Sequence, residues 1–535
     1  MEDSFKMKKA LAILLAIGMV FAVFADEPVA NLNVSEFSGE ASVTWGVDLD
    51  AKKTGFKNDS KITLKLNLFD NGDKSSTGEG VWGEIKIKTD GDTFYKDEVK
   101  NFNDGKGPFT DDLNFKMVVD TAKLHFGDNA YIGIKAGDTT VGEYKLDTAV
   151  AAEKIANANV GSGYTEGIVL GYGNDNFSID VDFRSAEQYT NAYAFAIDGA
   201  LKAVDNLTLK AGYTKDFAWA KDETVTDGFY VASDYKLGLN DTFYLKPQVG
   251  YTQAFVSNDG HKTYDDDFEP VEIPFEVYYD GALFFSDTWP VVAGEGDEYK
   301  QTKSNLVAAL LFGWGDKADK KPGVYFLDND NDKKVIPGFS VAMTMPVVNK
   351  TTIVYPDDPD TKDENEKVTV VMMQKQAPKM AVSFFSGEIV ENLTFAAYYE
   401  TKFGQDSASA DVEGDWKSQY GVDNVSVKTK EVKGKEYNGF AFAAGLNYKL
   451  SVGEGSITPK FGIAMLGGYY AKPAQIDFVG DAYNGEILNL KAGVDLAGYV
   501  ENTTFSVAYS SRNLKDGTTD ADTIGTLDFT CKIAL

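Results

Sequence analysis

The chain has 535 residues, 82 acidic against 52 basic, a formal charge of −30, two histidines and one cysteine. That balance excludes nucleic acid as a partner, because phosphate binding needs basic patches. A lone Cys531 rules out an intramolecular disulfide, so an exported chain of this size needs another source of stability, which closure of a sheet supplies.

Export is read from the first residues. Met7, Lys8 and Lys9 precede an apolar run over 10–24 that ends Val23-Phe24-Ala25. A basic start, an apolar stretch of that length and modest residues before the cut form a signal peptide, residues 1–25, cleaved after Ala25, with Met7 as an alternative start. A membrane anchor would need about 20 apolar residues and a stop-transfer flank, and Asp26-Glu27-Pro28 supplies neither. Cleavage removes Lys6, Lys8 and Lys9 together with Glu2 and Asp3, so −30 becomes −31.

No later run is long enough to cross a bilayer as a helix, although 43% of the residues are hydrophobic and 13% aromatic. The apolar residues are dispersed, and dispersal with alternation marks strands. In the N-terminal region, 26–160, strands are expected over 38–50, 57–69, 81–89, 113–126 and 131–136. These are either the first strands of a barrel or a separate β module. In the C-terminal region, 161–535, alternation is nearly unbroken. Phe177, Ile179, Val181 and Phe183 interleave with Ser178, Asp180, Asp182 and Arg184. Leu207, Leu209, Ala211 and Tyr213 do the same, as do Phe243 to Tyr251, Phe440 to Leu450 and, at the end, Leu527 to Leu535.

These runs are about ten residues long, the length that crosses an outer membrane at a tilt, whereas sandwich strands average about five or six. The expected fold is therefore all-β: a large antiparallel transmembrane β-barrel of about 18 to 20 strands. Its apolar face meets lipid and its polar face meets water, with Tyr213, Tyr251, Tyr448 and Tyr509 as interface girdle residues.

Connections provide an independent test, since membrane barrels alternate short periplasmic turns with long outer loops. Short turns are expected at 173–176, 203–206, 240–242, 387–392, 451–455 and 498–502. Three share a pattern: Val204-Asp205-Asn206-Leu207-Thr208, Val390-Glu391-Asn392-Leu393-Thr394 and Val500-Glu501-Asn502-Thr503-Thr504. Asn, Asp and Gly suit such turns because they tolerate left-handed backbone. Polar outer connections are expected at 185–190, 218–228, 256–303, 346–379, 404–438, 471–486 and 513–522. The stretch 315–337 breaks the rhythm, as a long inner turn or a concealed hairpin.

Catalysis lacks a constellation. His125 reads as a lumen side chain and His261 as a loop residue, with no pair at metal-ligand spacing, so the chain is expected to be no enzyme and to hold no cofactor. The strongest ion-like motif is Asp328, Asp330 and Asp332 in the run Asp328-Asn329-Asp330-Asn331-Asp332. Lys333 and Phe339 stand where an EF-hand needs Gly and Glu, so it is at most a weak calcium candidate beside a solvated acidic turn.

A barrel this wide leaves an aqueous channel unless something plugs it, which makes a porin for small hydrophilic solutes the default. Segments 90–112 and 256–303 are candidate plugs. Asp180, Asp182, Lys210, Lys246 and Lys449 are candidate lumen residues of mixed sign. Overall acidity reads either as solubility or as a preference for cations. The competing functions are an adhesin or display barrel with a plugged lumen and a surface-layer protein without a pore. For adhesion, the long loops offer Tyr264, Tyr278, Tyr279, Trp289, Tyr355 and Trp416 as aromatic anchors.

Several stretches carry a family character: Ala41-Ser42-Val43-Thr44-Trp45-Gly46-Val47-Asp48-Leu49, the segment 122–142 (AKLHFGDNAYIGIKAGDTTVG), Ser162-Gly163-Tyr164-Thr165-Glu166-Gly167, and the closing segment 505–535. In these the chain resembles the treponemal major outer sheath protein family of spirochaete surface porins and adhesins. The terminal Leu535 departs from the aromatic end of many outer-membrane barrels. The resemblance implies an abundant, surface-exposed protein of the bacterial outer membrane that forms large pores and assembles as a homo-oligomer, a trimer. It also implies binding of host matrix proteins such as fibronectin and laminin, and a part in virulence.

Overall fold

A computed structural model describes residues 33–68, 80–89, 117–136, 143–150, 157–159, 166–185, 192–218, 225–259, 271–279, 281–291, 298–315, 324–327, 335–355, 368–387, 389–413, 425–468, 486–511, 513–514 and 524–534. Among them, twenty strands form one closed antiparallel sheet. The first five are β1 (Asn33–Asp48), β2 (Lys53–Leu68), β3 (Val81–Thr89), β4 (Met117–Phe126) and β5 (Ala130–Ala136). There follow β6 (Glu166–Gly173), β7 (Phe177–Ser185), β8 (Ala192–Val204), β9 (Leu207–Ala218) and β10 (Val225–Tyr235). The third group is β11 (Tyr244–Asp259), β12 (Glu298–Gly313), β13 (Gly338–Tyr355), β14 (Lys379–Phe385) and β15 (Leu393–Lys402). The last is β16 (Phe440–Tyr448), β17 (Gly455–Gly467), β18 (Ile487–Ala497), β19 (Thr503–Ser510) and β20 (Thr526–Ala534).

Each strand pairs with the next in sequence, and β20 returns to β1 from Thr526 opposite Asp48 to Ala534 opposite Glu40. The meander thus has no edge, the condition for a sheet to stand in lipid. The first five strands, in the region where two alternatives were open, lie in this same sheet.

Alternation decides which face looks where. On β19, Phe505 and Val507 lie exposed on the outside while Thr504, Ser506 and Ala508 look inward. Large apolar side chains such as Phe183, Leu209, Val249 and Phe461 are exposed, whereas Asp182, Thr214, Gln248 and Asn489 are buried. This inversion of a soluble protein's pattern is what a barrel with lipid outside and polar groups inside requires.

One end of the barrel carries the short turns. Asn206, Asn392 and Asn502, the shared position of the repeated turn pattern, adopt φ of 64°, 63° and 55°, the left-handed region that Asn tolerates best after Gly. At two other turns Asn174 and Asn240 each accept two backbone N–H bonds through Oδ1. Beside this end Phe243, Phe312, Trp314, Phe384 and Phe395 form a chain of rings 5.6 to 6.0 Å apart. Trp314 Nε1 donates to the Ser386 carbonyl at 3.0 Å, as an amphipathic ring at a membrane interface does. Of the expected girdle tyrosines, Tyr213 and Tyr448 are exposed on the outer face, and Tyr509 donates to the Ile524 carbonyl at 2.6 Å.

The long-loop end is more structured than alternation suggested. Within the expected connection 346–379, β13 continues to Tyr355 and pairs with a strand Val368–Lys375; that strand pairs with Gly404–Glu413, and the latter with Val432–Tyr437. Within 256–303, strands Val271–Tyr279 and Ala282–Val291 form a hairpin joined by Val425–Thr429. Both units bury one apolar face of their own, at Ile353, Val370 and Met372 in the first and at Ile273 and Val277 in the second. In the sequence these strands are short and are embedded in acidic stretches such as 265–267 and 357–366, so they read as polar connections.

Reversing polarity on one face separates lipid from lumen. Val507→Lys should cost roughly 2–4 kcal/mol in unfolding from liposomes if it lies near mid-bilayer. Its inward neighbour variant Ser506→Lys should stay within about 1 kcal/mol. Equal losses would mean that the faces are assigned wrongly.

Candidate functional site

The inner face is not lined by wall alone. Residues 143–150, between β5 and β6 in sequence, cross the lumen as a strap held by inward side chains of β10, β11, β13 and β14. The Tyr144 hydroxyl donates to Asp234 at 3.2 Å. Lys246 Nζ bridges Asp147 at 2.7 Å and Asp234 at 3.0 Å. The Asp147 N–H donates to Gln248 Oε1 and Gln248 Nε2 donates back to the Asp147 carbonyl, both at 2.8 Å. The Ala149 and Val150 N–H groups donate to the hydroxyls of Ser340 and Ser383 at 3.0 and 3.1 Å. Because non-helical backbone inside a membrane protein must find its hydrogen bonds on protein or trapped water, this pairing marks the strap as a built feature.

A second segment enters from the opposite end. The connection 314–337 lies at the short-turn end, where its rhythm was anomalous, and its described residues turn inward. Val324, Phe326, Leu327, Val335 and Ile336 are buried with Tyr144, Leu146, Ala149 and Val150 in one apolar cluster inside the barrel. The Ile336 N–H donates to the Ala149 carbonyl at 3.2 Å, joining the two segments.

Small residues in the wall make room for this plug. On β16, β17 and β18 the inward positions under it are Gly445, Gly462 and Gly493, with Ala441, Ala443 and Ala464 beside them. A β-carbon at Gly462 would lie 2.6 Å from Tyr325 Cβ, and one at Gly445 or Gly493 would strike Val324 or the Tyr325 hydroxyl. Lys491 and Lys460 stand over the Tyr325 ring, 4.7 and 5.9 Å from its centre, within cation–π range. Burial and the Asp495 charge push the Tyr325 phenol up to about 12, so it is neutral at physiological pH.

Among the described residues, the arc formed by β17 to β20, β1 and β2 beyond Tyr325 is left open. It encloses a cavity of about 930 Å³ floored by small and hydroxylic side chains, among them Thr44, Gly46, Ser506, Ala508 and Thr530. The lumen is thus divided into a filled arc and an open one.

The candidate lumen residues fall in different places. Asp180 accepts from the Tyr131 hydroxyl at 2.9 Å, and Asp182 is buried and paired with Arg184. Lys210 Nζ lies 5.1 Å from the Tyr144 ring centre, and Lys246 is the strap's anchor. Lys449 sits between β16 and its continuation Leu450–Val452, which pairs with the start of β17; it is exposed, and its N–H donates to the Asn392 carbonyl at 2.8 Å. Sequence reasoning did not find the strap or Tyr325. The signal available was the run of Gly and Ala at inward parity on β16 to β18, where a water-facing wall would carry polar side chains.

Of the candidate loop aromatics, Tyr278 and Tyr279 belong to the outer hairpin. The Tyr278 hydroxyl donates to Glu276 at 2.7 Å with Lys428 Nζ 4.4 Å from its ring centre, and Tyr279 is exposed. Trp289 is opposite Ile273 in the same hairpin and Tyr355 opposite Val368. Tyr264, Trp416, the candidate calcium residues Asp328, Asp330 and Asp332, His261, residues 1–32 and the candidate plug 90–112 lie outside the described residues. Among the described residues no three ligating side chains gather into a metal site. Where the outer strands leave the barrel, burial pushes the Asp406 carboxyl up. Hydrogen bonds from Lys402, the Ala377 N–H and Tyr437 outweigh it and hold the group below the usual carboxylate range.

No family model matches the chain. It is 28% identical to the major surface protein MspTL of Treponema lecithinolyticum, over 97% of this chain and 96% of that one. It is also 28% identical to the major outer membrane protein MspA of Treponema maltophilum, over 99% and 100%. Among solved structures it is similar to a porin at 12% identity and TM-score 0.30, over 74% of this chain and 99% of that one. Another is OpdL of Pseudomonas aeruginosa, at 9% identity and TM-score 0.34, over 94% and 99%. The strand pairings carry the fold independently of these likenesses.

Filling the glycine track tests the seating of Tyr325. Gly462→Val should destabilise the folded barrel by roughly 1–3 kcal/mol through overpacking, read as a lower temperature for conversion of the compact gel band to the unfolded one. An unchanged conversion temperature would mean that Tyr325 does not rest there.

Proposed function

As this chain is a member of the treponemal major outer sheath protein family, we propose that it is an outer-membrane porin whose solutes pass along the open arc beside Tyr325. The observation that carries the reading is a closed barrel in which a hydrogen-bonded strap and an inner plug fill one side and leave a cavity of about 930 Å³ on the other. A restricted, polar-lined passage suits small hydrophilic solutes. The short-turn end is periplasmic and the end with extra strands faces outward, as in barrels of this kind. Export through a leader cleaved after Ala25 and assembly as a trimer, both from the sequence and the family resemblance, belong to the same proposal. Nothing in the reading calls for catalysis.

Host-matrix binding is the second activity, carried by the outer hairpin, where Tyr279 and Leu283 are exposed beyond the barrel. Fibronectin and laminin are the partners that the resemblance implies. Deleting that hairpin should reduce their binding and leave conductance intact.

Planar-bilayer recording of the folded protein tests the porin reading, with stable single-channel steps expected. Replacing residues 324–327 by glycines should raise the step size by about twofold or more, because the plug narrows the passage. Silence from protein verified as folded and inserted would move surface display to first place.

A further inference from the structure

Charge inside the barrel is segregated, and the segregation runs against the chain's overall acidity of −30. Inward carboxylates away from the open arc are engaged: Asp180 by Tyr131, Asp182 by Arg184, Asp198 by Tyr230 at 2.5 Å, and Asp234 by Lys246 and Tyr144. The open arc has the opposite balance. Lys53, Lys57, Lys460, Lys491 and Lys532 line it, against Asp48, Asp495 and Asp528. Three of those lysines face a carboxylate, Lys460 facing Asp495 at 2.6 Å, Lys532 facing Glu40 and Lys491 facing Asp528, which leaves Lys53 and Lys57 as the excess. Asp48 in turn accepts from the N–H groups of Asp50 and Ala51 at 3.1 and 2.9 Å, at the rim.

We propose that the open arc prefers small anions, carboxylate- or phosphate-bearing solutes, with Lys491 and Lys57 as its selectivity residues; this deepens the porin reading and rests on it. Lys491 Nζ lies 4.7 Å from the centre of the Tyr325 ring, so its charge stands at the edge of the inner plug, where the plug borders the cavity. Lys57 lies exposed on β2 opposite Thr44 and adds positive charge across the same space. A fixed excess of one sign in a narrow aqueous passage raises the local concentration of the other. Its reach is the Debye length, about 8–10 Å at 0.1–0.15 M salt, so the preference grows on dilution.

The experiment is the reversal potential of single channels of the full-length protein under a potassium chloride gradient. Chloride should permeate in preference to potassium, more so in dilute salt. Lys491→Glu and, separately, Lys57→Glu should each lower the anion-to-cation permeability ratio by about twofold or more. Lys57 carries no packing, so its variant stays informative if Lys491→Glu does not fold. Lys433→Glu, on an exposed strand beyond the barrel, should leave the ratio unchanged. Conducting channels that prefer potassium, or a ratio that neither passage variant moves, would overturn the anion assignment while leaving the porin intact. Absence of any channel from folded protein would overturn the porin reading first, and this inference with it.

Discussion

Everything in this structure depends on the seam between β1 and β20. In hydrocarbon an unpaired strand edge leaves a row of unsatisfied N–H and C=O groups, each costing several kcal/mol. Nine residue pairs join the first strand to the last, Thr44 and Thr530 share a hydrogen bond with their hydroxyls 2.8 Å apart, and Trp45 stacks on Phe529 on the lipid side. At the outer rim, Asp50 accepts from the N–H groups of Ile524 and Gly525, tying the first hairpin to the last loop. With no disulfide available, this closure provides the covalent-like constraint that an exported chain needs.

Once closed, a barrel of this circumference is too wide for its own wall side chains to fill. The chain resolves this asymmetrically. On β16 to β18 inward Gly and Ala make room for the inner plug, on β10 to β14 inward Asp, Lys, Gln and Ser bind the strap, and around β19, β20 and β1 inward Ser, Thr, Lys and Asp line the cavity. Tyr325 stands at the boundary, seated on glycines and flanked by two lysines. The cavity therefore lies to one side of the barrel axis, and its chemistry is set by one arc of the wall rather than by the composition of the whole chain.

Strand identity, strand direction and the inner turns were legible because each is a local property. A period of two places Phe505 outside and Ser506 inside without reference to any other residue, and the recurring Val-acid-Asn pattern announces a left-handed Asn. The N-terminal strands were legible within a few residues at their ends. The strap was not legible, because its meaning lies in contacts 90 to 233 residues away, Tyr144 with Asp234 and Val150 with Ser383, while 143–150 by itself reads as a loop. The outer strands are hidden for a related reason: each is short and flanked by acidic, proline-bearing chain, and its pairing partners lie far away in sequence, as Val368–Lys375 with Gly404–Glu413 and Val271–Tyr279 with Val425–Thr429.

The most direct test of this account is a disulfide across the seam. Thr44→Cys and Thr530→Cys, in a Cys531→Ser background, are placed opposite each other on β1 and β20. In the folded, membrane-inserted protein, mild oxidation should join them and shift the denatured chain on a gel as a closed loop. If the two cysteines stay reduced and are labelled independently, the first and last strands do not meet, and the closed barrel with its divided lumen is wrong.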